Sequence, residues 1–119
     1  MSDLEARHHA DVLAKAALDG KAEDLVLLDV RQLTLLADYF LICTGTSDRH
    51  VKAIGGRVDA AAKEDGQRVH HREGLDEGRW ALLDYGDVVV HIFDEKTREY
   101  YRLEELWADA PRVNLSLAA

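Results

Sequence analysis

The chain is short of the charge that grips phosphates. Its 119 residues carry 15 Lys and Arg against 23 Asp and Glu, a formal net charge of −8. Nucleic-acid binding by counterion release needs the opposite surplus, so direct RNA or DNA contact is disfavoured. A basic protein partner would instead be steered in by the field. Cysteine is also scarce. The lone Cys43 excludes an internal disulfide and fits a reducing cytosol. With a single proline and no repeat, linker or low-complexity tract, nothing marks a domain boundary. No apolar run approaches the roughly 20 residues that a bilayer crossing takes. The polar, acidic start MSDLEARHHAD is unlike a secretory signal, so the expectation is a soluble cytoplasmic protein with no membrane role. Aromatics are only 7% of the chain, yet both tryptophans and three of the four tyrosines fall within Arg79–Trp107. Such a concentration is either a core or a recognition surface.

Apolar spacing predicts the elements. Ser2-x-x-Glu5 has the form of a capping box, after which Ala6, Ala10, Leu13 and Ala17 share a helical face, with Gly20 as the stop. Asp24–Val30 and Tyr39–Thr44 have the length of buried strands. Ser47 is placed to cap a second helix striped by Val51, Ile54, Val58 and Ala61 or Ala62 and ended by Gly66. Gly55 and Gly56 inside it each cost about 1 kcal/mol against alanine, which close packing on a neighbour would explain. Gln67–Arg72 reads as an edge strand. Arg79–Asp84 and Val88–Phe93 form a hairpin through Tyr85-Gly86-Asp87. Asp94 can cap a last helix with Tyr100, Leu103, Leu106 and Trp107 on one side, and Pro111 closes the ordered part. The sum is an α/β (α+β) domain, one mixed five-stranded sheet with about three helices.

No catalytic constellation assembles. His8–His9 and His70–His71 are adjacent pairs whose side chains diverge, and no histidine pair four apart or partner cysteine suggests zinc. Gly45–Ser47 lies between a strand and a helix, where backbone N–H groups could meet a phosphate, but it lacks the lysine of a P-loop. Asp84 and Asp87 straddle a glycine turn instead of pairing on a strand to hold magnesium. Cys43, in an apolar run, reads as a buried inert thiol. The expectation is therefore no enzyme, no metal and no cofactor, the alternative being a small nucleotide-binding or nucleotidyl-transferring enzyme built on Gly45–Ser47 with Asp84 or Asp87. In the hairpin, Trp80 and Leu82 face one way and Ala81, Leu83 and Tyr85 the other, and both faces are largely apolar. Three helices are thin cover for two such faces. A sandwiched hairpin and a face left for a partner both remain open.

Longer motifs carry a resemblance. Leu28–Val30, Ala37–Phe40, Thr44–Val51 (TGTSDRHV), Glu73-Gly74, Trp80–His91 (WALLDYGDVVVH) and Arg98–Trp107 (REYYRLEELW) stand in one order. Together they resemble the ribosomal silencing factor, or Iojap-like, family, and the likeness runs from about Leu4 to Val113. It implies a single domain over residues 1–113 with a tail at 114–119, and a fold related to nucleotidyl transferases without their active site. It also implies a translational repressor that binds the large ribosomal subunit through ribosomal protein L-fourteen, with little nucleic-acid contact. Binding at the face where the small subunit docks would block subunit joining when nutrients are short. A homodimer is the expected alternative association of the free protein. The docking surface carries over to Trp80, Leu82, Leu83 and Tyr85, and extends to Tyr100 and Tyr101. One departure is His70-His71-Arg72, which replaces a more apolar segment and leaves the third strand's length and pairing open.

Overall fold

The computed structural model describes residues 3–115. Helix α1 (Asp3–Asp19) turns Ala6, Ala10, Leu13 and Ala17, three or four residues apart, onto one fully buried stripe. Its expected cap, Ser2, lies outside the described residues. Strands β1 (Glu23–Asp29) and β2 (Tyr39–Gly45) follow, each within a residue of the expected run. Helix α2 (Asp48–Glu64) is capped by Ser47, whose hydroxyl accepts the His50 N–H at 3.0 Å. It buries Val51, Ile54, Val58 and Ala62, and Gly66 leaves it at φ +78°. Close packing accounts for Gly55, where a Cβ would lie 2.5 Å from Leu75 Cδ2. It does not account for Gly56, which faces open space.

Strands β3 (His71–Glu73), β4 (Trp80–Asp84) and β5 (Val88–Asp94) complete one sheet in the order β1-β2-β5-β4-β3. The β2–β5 pair is parallel and the other pairs are antiparallel, so the fold is α+β around a single mixed five-stranded sheet. Parallel neighbours need a long crossover, and α2 with the β3–β4 excursion supplies it. The edge strand β3 is shorter than the expected Gln67–Arg72 and starts later. The expected hairpin forms between β4 and β5, with the Tyr85 N–H donating to the Val88 carbonyl at 2.9 Å.

Two expectations at the C-terminal end are corrected. The last helix is not continuous: Arg102 adopts φ +48°, breaking it into α3 (Glu95–Tyr101) and a single turn, α4 (Leu103–Leu106). A left-handed residue costs roughly 1–2 kcal/mol, and a clamp across the break offsets it. The Arg98 guanidinium grips both oxygens of Glu104 at 2.9 Å, and its Nη1 donates to Thr44 Oγ1 and the Asp24 carbonyl. The guanidinium holds the Glu104 carboxyl below the usual carboxylate range. Because of the break, Tyr100 and Leu106 do not share a face with Leu103 and Trp107. The first two are 80% and 76% exposed, whereas the second two pack on the sheet. Nor does order end at Pro111. The Asp29 N–H donates to the Pro111 carbonyl at 2.9 Å and the Val113 N–H to the Leu27 carbonyl at 2.8 Å, so 111–113 line the outer edge of β1.

The sheet has two unlike faces. Helices α1 and α2 cover one, over Leu27, Leu41, Cys43, Ala81, Leu83, Val88, Val90 and Ile92. The other carries Leu28, Phe40, Ile42, Val89 and Phe93, and among the described residues Val30, Ala37, Leu103, Trp107 and Ala110 pack across part of it. Trp80 and Leu82 sit where that cover stops.

Candidate partner-binding surface

Strand alternation decides which β4 side chains can meet a partner. Ala81 and Leu83 point under the helices and are fully buried, while Trp80 and Leu82 point the other way and stay half-buried. The Trp80 indole packs on Phe93 with ring centroids 4.9 Å apart and on Tyr101 at 4.8 Å. Tyr100 stands edge-on to Tyr101 at 5.0 Å. Tyr100 and Tyr101 are exposed because the left-handed Arg102 ends α3 there instead of folding them onto the sheet. The result is an aromatic ledge along one side of the open face.

Beside the ledge runs a groove of about 470 Å³, floored by Trp80 and Leu82 and flanked by Tyr101, Thr97, Glu73, Glu77 and Arg79. Gly74 sets its end wall. At φ +79° a Cβ there would come within 1.9 Å of the Trp80 carbonyl oxygen, so only glycine lets the β3–β4 connection close on Trp80. Two carboxylates and one guanidinium on an apolar floor suit a partner that brings apolar side chains and basic groups.

Four of the six expected site residues, Trp80, Leu82, Tyr100 and Tyr101, come together here. Leu83 and Tyr85 do not. Leu83 is fully buried and Tyr85 is 5% exposed, both beneath α2 on the helix-covered face. The Tyr85 hydroxyl donates to Asp59 Oδ1 on α2, and Arg72 holds the other Asp59 oxygen at 2.8 Å. Burial, with the Asp59 carboxylate beside it, pushes the Tyr85 phenol well above its ordinary range. A partner could reach these two only if the helix lifted away. The carry-over from the family resemblance put all four on one surface, whereas neighbours in a strand serve opposite faces. What the sequence reading missed is the groove rim, Glu73, Glu77, Arg79 and Thr97, and the residue beneath the tryptophan, His91. The signal for His91 was its place as the one polar residue in Val88–Phe93.

At the alternative, nucleotide-directed site several groups bond within the chain. The Thr46 N–H donates to His50 Nδ1 at 2.8 Å, His50 N–H to Ser47 Oγ, Arg49 N–H to Asp48 Oδ1 and Val51 N–H to the Ser47 carbonyl. The His50 ring then donates Nε2–H to the Gly20 carbonyl at 2.8 Å, tying α1 to α2. Asp84 Oδ1 accepts the Gly86 N–H, and Asp87, nearly buried, pairs with His9 at 2.5 Å. His8 pairs with Asp65 and His71 with Glu73. Among the described residues, no three His, Cys, Asp or Glu side chains gather as metal ligands would. Cys43 is fully buried, and burial pushes its thiol up to about 12. No described helix is long and apolar enough to cross a membrane.

Known proteins share this architecture. A family model described as "Ribosomal silencing factor during starvation" matches residues 3–119, taking in the tail. The chain is 50% identical over 104 residues to the ribosomal silencing factor of Bacillus subtilis, spanning 87% of this chain and 88% of that one. It is 35% identical over 113 residues to the chloroplastic protein Iojap of Arabidopsis thaliana, covering 95% of this chain and 47% of that protein. A crystal structure of a Chromobacterium violaceum protein superposes with a TM-score of 0.85 at 34% identity, over 95% of this chain and 93% of that one. A Bacillus halodurans structure gives a TM-score of 0.83 at 40% identity, over 92% and 99%.

Proposed function

The chain belongs to the ribosomal silencing factor family, and we propose that it represses translation by binding the large ribosomal subunit through ribosomal protein L-fourteen. Bound at the face where the small subunit docks, it would block subunit joining by occupying space, chiefly when nutrients are short. One observation carries the reading: Trp80, Leu82, Tyr100 and Tyr101 form an uncovered apolar ledge on a chain of net charge −8. Trp and Tyr dominate the energetics of protein interfaces, whereas a phosphate-binding surface would be basic. A steric blocker needs no bond-making chemistry, and of the two candidate aspartates Asp84 caps its own turn through the Gly86 N–H while Asp87 pairs with His9.

Gradient sedimentation with isolated subunits tests this. The protein should travel with large subunits and not with small ones, and its presence should reduce joined ribosomes. Its affinity should fall only gently between low and physiological salt. Equal signal in both subunit peaks would count against the reading. So would a salt slope equivalent to about six phosphate contacts, because RNA would then be the main partner.

A further inference from the structure

His91 is the odd residue of β5. It is 6% exposed, on the open face, cross-strand from Leu82 and Ile42 and ringed by Phe40 at 5.3 Å and Phe93 at 6.3 Å. Its Nδ1 accepts the Trp80 indole N–H at 3.1 Å. That bond fixes the tautomer: Nδ1 is the acceptor, so the proton of the neutral ring sits on Nε2. Nε2 is buried and has no hydrogen-bond partner among the described residues. Burial pushes the ring's pKa down to about 4, against an opposing pull from Asp84, so it is neutral at physiological pH. A buried N–H without an acceptor costs stability. At this position leucine would pack among the same rings at no such cost. The imidazole is a poor choice for the fold, and its one polar return is the bond to Trp80.

That bond decides how the tryptophan is presented. An indole has one polar atom, and a half-buried indole on an open face would ordinarily turn it to water or to a partner. Here it is turned inward, so the edge left toward the groove is hydrocarbon. Building on the docking reading above, we infer that His91 is a positioning residue: it holds the Trp80 indole with N–H inward and apolar edge outward, selecting a partner that offers an apolar contact there instead of a hydrogen-bond acceptor. Its effect on binding runs wholly through Trp80.

The test combines solvent-exchange rates of the Trp80 indole N–H in proton–nitrogen spectra, assigned with Trp107→Phe, with affinity for isolated large subunits. In the unmodified protein the indole N–H should be protected from exchange. His91→Leu should stay folded, lose that protection and bind about tenfold more weakly, the loss expected for about one hydrogen bond's worth of orientation. His91→Asn, whose Oδ1 stands near the place of Nδ1, should recover both. In a Trp80→Phe background, His91→Leu should cost no further affinity. The inference is overturned if the native indole exchanges freely, if His91→Leu unfolds the protein and so proves the ring a support of the fold, or if His91→Leu binds normally while Trp80→Ala does not. That last pattern would leave the docking reading standing. If Trp80→Ala itself binds normally, the docking surface is wrong and the role of His91 falls with it.

Discussion

The two faces of the sheet are made from the same five strands, often from consecutive residues, yet they end in different states. On one face, two helices of 17 residues each lie over a continuous layer from Leu27 to Leu83. On the other, a helix broken at Arg102 covers only the part near Phe40 and Ala110, and β4 emerges from under it. Apolarity does not distinguish the faces, because both are apolar in sequence. Cover does. An apolar side chain under a helix is part of the fold, and the same type of side chain one residue along is available to a partner.

Leu82 and Leu83 put that contrast in its purest form. Leu83→Ala should destabilise by about 2–5 kcal/mol, as deletions in a packed core do. Leu82→Ala should cost about 1 kcal/mol or less while weakening attachment to large subunits. Thermal melts and sedimentation of both variants decide it, and equal losses of stability would erase the distinction between the faces.

Acid should act on the open face through His91. Its folded pKa of about 4 lies below the ordinary 6.5, so the unfolded chain takes up the proton first as pH falls. The stabilisation is complete above about pH 6.5 and declines as pH falls toward 4, by roughly 3 kcal/mol if the whole shift is expressed. Denaturant titrations across this window should show that decline, and His91→Leu should flatten it. An unchanged slope in the variant would assign the acid sensitivity to other groups.

Trp80→Ala and Tyr85→Ala separate the faces by readout. The first should lower large-subunit affinity about 30-fold, the usual scale for an interface hot spot. The second should lower the melting temperature, because it empties a site under α2 and removes one of the hydrogen bonds to Asp59. If binding were lost with Tyr85→Ala in a fully folded protein, the docking face would be the wrong one.

The smallest effect tests independence. Gly56→Ala meets no atom within 4 Å and should raise stability by about 1 kcal/mol through helix propensity alone. Lying on the helix that covers the opposite face, it should leave affinity unchanged. Altered binding would mean that α2 contributes to docking.

Much of this was legible beforehand, for local reasons. The stripe on α1, the Ser47 cap, the strand runs and the β4–β5 turn follow from spacing and from side chains that bond to their own backbone. The helix break was not legible. It depends on Arg98 reaching Thr44 and the Asp24 carbonyl, residues more than 50 positions away, and nothing near a non-glycine Arg102 announces a left-handed turn. The pairing of 111–113 with β1 was hidden for the same reason. In the candidate site, alternation rightly set Trp80 and Leu82 against Leu83 and Tyr85. The family resemblance then gathered all four onto one surface, and burial separates them again.

The sequence by itself determined the sheet, its helices and the aromatic concentration at Arg79–Trp107, because periodicity and capping are short-range properties. Its motifs also determined the family. Only the tertiary structure decided which apolar face would be roofed. That choice depends on where α1 and α2 pack after the β2–β5 crossover and on a clamp that stops the last helix short. Both are long-range contacts, and no local pattern encodes them.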